Sequence, residues 1–390
     1  MKVVLDCRSV FPGMGGIGRA TAALARHLPA QLPQDELVLL VGARRFDAPL
    51  AAGPNITETR VDAPMLDPAF EQVRLPGLLE ELGADCFHGT CFLTPIAASA
   101  VARVATVHDV VFRRHPELVE AGLREYLDRW TRVSCELADA VVTVSEFSRR
   151  EIAALYGRRR SRVHVVPNAV DERFLGLERQ APKGPPFLLY VGTIEPKKNV
   201  HLLLRAFDEL VRLDPALPHR LVLAGGAGSA PFDLEAALAQ LEARERVHVL
   251  GHVSDEALRG LYASADLFCY LSEYEGFGLP VVEAMAAGTP CVVSDRASLP
   301  EVAGDAAVVV DPTDPAFVAR ALHGVLADPA RAAALRERGR ERARRFSWAT
   351  SAARLAAVYR RAVARAARRR ADASPDAGRP ALRVLKGRGA

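Results

Sequence analysis

Short apolar runs alternate along the chain with longer stretches whose apolar residues recur at helical spacing, the pattern of an α/β protein with parallel sheets. In the first half the runs predict strands over 2–5, 36–41, 56–60, 86–88, 101–107, 140–144 and 162–166. The helical pattern falls over 18–27, 68–82 (with a break near Pro76), 116–137 and 146–155. The segment ERQAPKGPP at 178–186, rich in Pro and charge, reads as a linker. A second series follows it, with strands over 187–191, 220–224, 247–250, 267–271, 290–293 and 307–310. Its helices are expected over 200–213, 234–243, 255–263, 280–287 and 315–327. After Phe346-Ser347-Trp348 a last helix runs to about residue 370, and 371–390 reads as a loose basic end with Pro, Gly and Ser among its charges.

Two Rossmann-like domains are therefore expected, one over 1–177 and one over 178–346, with the helix over about 347–370 returning to the first. In open α/β sheets ligands bind beyond the carboxyl ends of the strands, so two such domains face each other across a cleft. The length of 390 residues suits this division.

Composition narrows the class. Hydrophobic residues make up 49% and charged residues 25%, as in ordinary globular proteins, and no apolar run approaches the length of a membrane span. The six cysteines are scattered without a C-x-x-C pair, which fits small buried thiols in a reducing cytoplasm and indicates neither a zinc site nor a disulfide framework. Charge is uneven: the last sixty residues hold 18 Lys and Arg against 4 Asp and Glu. Such a region can touch anionic lipid or another polyanion, but no nucleic-acid recognition motif accompanies it, so no nucleic-acid partner is expected.

The most informative stretch is SEYEGFGLPVVEAMAAGTP, residues 272–290, after the strand expected over 267–271. Gly276 and Gly278 let the backbone approach a ligand, and Pro280 suits the first turn of a helix. The free amides around 278–281 form an anion site, and Glu275 and Glu283 are expected to converge on that helix N-terminus, Glu283 from its first turn. Amides can hold a diphosphate there while carboxylates grip hydroxyls.

This segment resembles the signature of the retaining glycosyltransferases of family 4, which have the GT-B fold and two glutamates separated by seven residues. The blocks LLYVGTIEPKKNVHLLLRAF, LVLAGG, GHVSDEALRGLYASADLF, EGFGLPVVEAMAAGTPCVVSD, LPEVAGDAAVVVDP and FSW occur in that family's order, and the likeness spans roughly residues 1–360. The resemblance implies transfer of a hexosyl or deoxyhexosyl group from a nucleotide sugar, with retention at the anomeric carbon, to a glycan, lipid-linked or small-molecule acceptor. It implies that Glu275 meets the donor sugar, that Glu283 holds the ribose, and that Phe277, Gly278 and Leu279 offer backbone amides. Among donors GDP-mannose is favoured over a UDP-hexose or a deoxysugar nucleotide. A cytoplasmic enzyme follows, with peripheral membrane contact through its basic C-terminal region.

Breaking the donor bond leaves negative charge on the diphosphate, which a divalent metal or fixed cations and amides can stabilise. No Asp-x-Asp occurs in the chain, and GTIEPKKN supplies Lys197 and Lys198 after the first strand of the second domain. Metal-independent transfer with no cofactor is therefore expected. Many relatives have an arginine where Thr193 stands; Lys198 matches the family's phosphate cation, and Lys197 replaces the missing charge. On the first domain, VATVHDVVF ends a strand at His108, which matches a histidine near the donor sugar in the family. Front-face substitution is the family's favoured path, and double displacement through Glu275 stays open.

GMGGIGR, following the first strand, contains Gly13-x-Gly15-x-x-Gly18, the glycine spacing of a dinucleotide site. That fingerprint needs glycine directly after the strand and an acid ending the next one, whereas Asp6–Pro12 intervene and the second strand leads into Gly42-Ala43-Arg44-Arg45. An NAD(P)-dependent oxidoreductase is the distant alternative. A GT-B sugar synthase or phosphorylase is the nearer one. In the family this loop closes over the donor, which makes Gly15 and Gly16 its contacts, Gly18 the start of the helix and Arg19 a weaker phosphate candidate.

Overall fold

A computed structural model describes residues 1–44, 48–98, 100–182, 184–228 and 230–372; of the basic segment 371–390, all but the first two residues lie outside the described residues. The strands form two sheets, parallel throughout. The first has the order β3-β2-β1-β4-β5-β6-β7, built from β1 (Lys2–Asp6), β2 (Glu36–Val41), β3 (Ile56–Arg60), β4 (Cys86–Gly89), β5 (Ala102–Thr106), β6 (Ala140–Thr143) and β7 (Val163–Val165). The second has the order β10-β9-β8-β11-β12-β13, from β8 (Phe187–Val191), β9 (Arg220–Ala224), β10 (Val247–Gly251), β11 (Leu267–Tyr270), β12 (Cys291–Ser294) and β13 (Val308–Val310). Both orders reverse direction beside their first strand, at β1/β4 and at β8/β11, and the crevices at those reversals are where such sheets bind ligands.

Helices cover both faces, so the central strands are buried on either side and read as continuous Val/Leu/Ile runs. The final helix, Trp348–Asp372, lies on the helix Gly16–Gln31 and on β5 of the first sheet. It is keyed there by Tyr359, whose hydroxyl is 2.7 Å from His88 Nδ1 in the core, and by Ser351, which donates to the Pro167 carbonyl at 2.7 Å. This is the two-domain GT-B arrangement. Five of the six cysteines are buried and Cys91 is partly so; all are free thiols.

Several elements differ from the sequence expectation. The first helix begins at Gly16, not Gly18, with extended Gly15 as its N-cap. Gly18 is needed for packing: a Cβ there would lie 2.3 Å from the Ser9 carbonyl oxygen. The segment 68–82 does not break at Pro76, because a π-turn over Phe70–Arg74 precedes the α-helix Leu75–Glu81 and absorbs the missing donor. The expected helix 116–137 begins as a short 3₁₀ turn and becomes α-helical only at Ala121, capped by the Glu120 carboxylate. A helix over Pro329–Arg344 joins the set; its sequence is charged on most faces, with only Ala332, Leu335, Gly339 and Ala343 buried. The linker hugs the second domain: Arg179 pairs with Asp266, and the Gln180 amide donates to the Ala263 carbonyl at 3.0 Å.

Candidate active site

A cleft of about 430 Å³ opens where the two sheets' switch points face each other. Its first-domain wall comes from the loop after β1, carrying Gly15 and Gly16, and from His108 after β5. Its second-domain wall comes from the loops after β8 and β11 and the helix that follows. All the residues singled out above line it: Gly15, Gly16, His108, Thr193, Lys197, Lys198, Glu275, Phe277, Gly278, Leu279 and Glu283.

Glu275 lies at the buried end of the β11 loop. One oxygen, Oε1, accepts from Lys198 Nζ at 2.5 Å, from the Ser272 hydroxyl at 2.7 Å and from the Tyr270 hydroxyl at 2.9 Å. Burial opposes the charge, but Lys198, Lys197 and these donors outweigh it and bring the carboxyl down to about 2. Lys198 in turn also donates to the Tyr270 hydroxyl at 2.9 Å; burial works against its charge too, and Glu275 raises its pKa above the usual lysine value. Lys198 is aimed by the residue that follows it. Asn199 sits in the left-handed region (φ 52°) and donates from its amide to the Leu271 carbonyl at 3.0 Å, fastening the β8 loop to the β11 loop.

Glu283 departs from expectation. The helix runs Leu279–Ala286, so Glu283 is its fifth residue, beyond the first turn and not at the N-terminus. Its carboxylate accepts from the Tyr262 hydroxyl at 3.0 Å and stands 4.0 Å from Arg19 of the first domain. Here burial wins over Arg19 and the Tyr262 hydrogen bond, and the carboxyl rises to about 7. Arg19 reaches across the cleft to Asp255 (3.6 Å) and Glu283, which places it on carboxylates.

Gly278, at φ 101°, is the N-cap of the same helix, in a conformation that favours glycine. Thr193 is exposed in the cleft and donates to Glu195 at 2.9 Å, and Lys197 is 3.9 Å from that same carboxylate. Close backbone approach shapes this wall as well: a Cβ on Gly225 would lie 1.9 Å from the Gly192 carbonyl oxygen. His108 is half-buried, and its Nε2 donates to the Thr90 carbonyl at 2.8 Å. Burial lowers its pKa, so the ring is neutral with its lone pair on Nδ1.

With this geometry, the chain belongs to the glycosyltransferases: residues 14–174 match Glycosyltransferase Family 4 and residues 177–342 match Glycosyl transferases group 1. It is 30% identical over 372 residues to O-antigen chain mannosyltransferase B of Escherichia coli, covering 89% of this chain and 96% of that one. It is 34% identical over 289 residues to the MMP alpha-(1->4)-mannosyltransferase of Mycolicibacterium hassiacum, covering 70% of this chain and 69% of that one. Among solved structures, sucrose-phosphate synthase from Thermosynechococcus elongatus superposes with a TM-score of 0.73 at 20% identity, over 93% of this chain and 99% of that one, a likeness of fold.

The sequence reading missed the residues that hold the two glutamates: Tyr270 and Ser272 at Glu275, Tyr262 at Glu283, and Ser298, whose hydroxyl donates to the carbonyls of Glu275 (2.9 Å) and Phe277 (3.0 Å). The only signal for them was a polar tip on an otherwise apolar element, as in Tyr270 ending β11.

Proposed function

We propose that this glycosyltransferase moves a hexosyl group, with mannose from GDP-mannose favoured, to a glycan or lipid-linked acceptor, retaining the anomeric configuration and needing no metal. The observation that carries the reading is the Lys198–Glu275 pair in the cleft, beside the amides that open the helix Leu279–Ala286. Two relatives that are mannosyltransferases support the sugar.

In this reading the diphosphate lies on the amides of Phe277, Gly278 and Leu279, with Thr193, Lys197 and Lys198 beside it. An ammonium has three donors; Lys198 spends two on Glu275 and Tyr270, and the third goes to the phosphate. Glu275 keeps Oε2, which has no donor among the described residues, for a hydroxyl of the donor sugar. Glu283 grips the ribose, and Gly15 and Gly16 close over the donor from the other wall. The bond between anomeric carbon and phosphate oxygen breaks, and the acceptor oxygen bonds on the same face. The acceptor's proton passes to the leaving phosphate oxygen, while His108 Nδ1 accepts from a substrate hydroxyl. The front-face path is the one we propose, with Glu275 as an electrostatic partner of the reacting sugar and not its nucleophile.

Incubation with GDP-mannose, UDP-glucose and UDP-galactose in excess EDTA, followed by NMR of the product, tests all three features. Turnover with an α-linked product from an α-linked donor is expected. Inversion, or activity lost to EDTA and restored by a divalent ion, contradicts the reading.

The membrane contact is proposed through Arg365 and Arg368 of the last helix together with Arg162, which border a groove where Asp139 and Asp372 are the facing acids. No helix among the described residues is long and apolar enough to cross a membrane. Sedimentation with phosphatidylglycerol vesicles, and none with phosphatidylcholine, is expected; equal partitioning of an Arg162→Glu/Arg368→Glu variant contradicts it.

A further inference from the structure

The two domains touch at more than the cleft. The Glu301 carboxylate, on the short second-domain helix Leu299–Ala303, crosses to the first-domain helix Glu146–Tyr156. It accepts from the amides of Glu146 and Phe147, one on each oxygen, both at 2.8 Å. These are two of the four amides that a helix leaves unpaired at its start; Ser145 takes a third, that of Ser148, at 3.0 Å. A side chain from another domain thus completes this cap. A carboxylate at a helix N-terminus also meets the positive end of the helix dipole.

Three further contacts converge on the same few residues. The Tyr274 ring, from the β11 loop, packs edge-on against Phe147, with ring centroids 5.5 Å apart. The Ser148 hydroxyl lies 3.2 Å from the His108 carbonyl oxygen and 3.4 Å from that of Gly276, one from each domain. Gly276 fits so closely that a Cβ there would be 2.2 Å from the His108 carbonyl oxygen. Glu301 is itself braced, since Arg342 donates to the carbonyls of Glu301 (2.6 Å) and Val302 (2.9 Å). Ser298, just ahead of this helix, holds the carbonyls of Glu275 and Phe277. One rigid unit therefore carries both the interdomain contact and the loop that reads the donor.

We propose that Glu301 is a positioning residue for glycosyl transfer: a clasp whose bonds to the Glu146 and Phe147 amides hold the domains closed and seat the Glu275–Gly278 loop against His108. The proposal rests on the transfer reading only for its kinetic consequence; the closure itself is a property of the empty chain. In this reading a nucleoside diphosphate is held chiefly by second-domain residues, with the first-domain loop adding little to its affinity, whereas the transfer step needs both walls in place.

The test compares the full chain with Glu301→Gln, Glu301→Ala and Glu146→Pro. Proline suits the first helical position, and extended Ser145 (φ −152°, ψ 161°) accommodates it, so Glu146→Pro removes one donor from the opposite side without breaking the helix. Glu301→Ala should lower kcat at least about tenfold, the equivalent of one charge-assisted hydrogen bond, with smaller losses in the other two. GDP affinity by calorimetry should stay within about twofold, the scale of a surface change. Small-angle scattering of the unliganded variants should show a larger radius of gyration than the parent. A kcat and radius unchanged in Glu301→Ala and Glu146→Pro overturn the clasp. A loss of GDP affinity in step with kcat also overturns it, since that marks damage to the second domain itself. If the parent transfers no sugar but the variants still open, the transfer reading fails and the clasp stands.

Discussion

The two ends of the cleft's second-domain wall hold one glutamate each, eight residues apart in the chain, and treat them in opposite ways. Glu275 is partly buried beside Lys198 and under two hydroxyls, and its carboxyl falls to about 2. Glu283 is buried more completely, its hydrogen bond comes from a neutral Tyr262 hydroxyl and its nearest cation stands 4.0 Å away on the other domain, so its carboxyl rises to about 7. Burial acts in the same direction on both; the proximity of a cation decides the sign. Where environments push two titrating groups apart, their tasks differ. A permanently ionised Glu275 offers the reacting sugar a fixed electrostatic partner. A Glu283 poised near neutrality gains its charge only at a cost, which Arg19 and a bound hydroxyl donor offset. Arg19 belongs to the first domain, so the cation that favours the ionised Glu283 is supplied from across the cleft.

The largest expected effect comes from removing the cation. Lys198→Ala leaves the partly buried Glu275 without its partner, costing about 3–5 kcal/mol of stability and about 10²–10³ in kcat. The sign with pH follows from the depressed carboxyl. In the parent, the pair's stabilisation is full above the ordinary carboxylate range and is lost as pH falls towards 2, whereas Lys198→Ala lacks this acid limb. Urea titrations between pH 7 and 3 check it.

A smaller effect sharpens the other half of the comparison. Donor KM should fall as pH rises through about 7 and Glu283 ionises, and Glu283→Gln should flatten that dependence while raising KM at pH 8 about tenfold, the scale of one hydrogen bond to a charged group. Stability runs the other way. A raised carboxyl stabilises the fold fully below the ordinary range and loses that contribution as pH rises through about 7, so Glu283→Gln should melt higher than the parent at pH 8 and equally at pH 4. Tyr262→Phe should move the KM inflection upward, because it removes a donor to the ionised form.

Elements with strong periodicity were legible from the sequence to the residue: β2, β3, β8, β9 and the helix Val200–Leu213 have the bounds their apolar patterns predict. The helix Pro329–Arg344 was not legible, since Arg and Glu occupy most of its faces and tertiary packing on the helix Leu279–Ala286 selects its narrow stripe. At the site, loops after strands identified the residues of both walls. The contacts among them lay beyond any local pattern: Lys198 and Glu275 are 77 residues apart, and only the β8–β11 pairing brings their loops together. Glu301 went unremarked within LPEVAG for the same reason, as its partners are 154 and 155 residues away in another domain.

The most direct measurement is steady-state kinetics with varied donor for Glu275→Gln beside Glu283→Gln. Loss of kcat by about 10²–10³ with donor KM little changed in Glu275→Gln, and raised KM with kcat retained in Glu283→Gln, is the predicted outcome. Near-normal kcat in Glu275→Gln, or the two patterns exchanged, would contradict the assignment of the reacting end to Glu275 and the nucleoside end to Glu283.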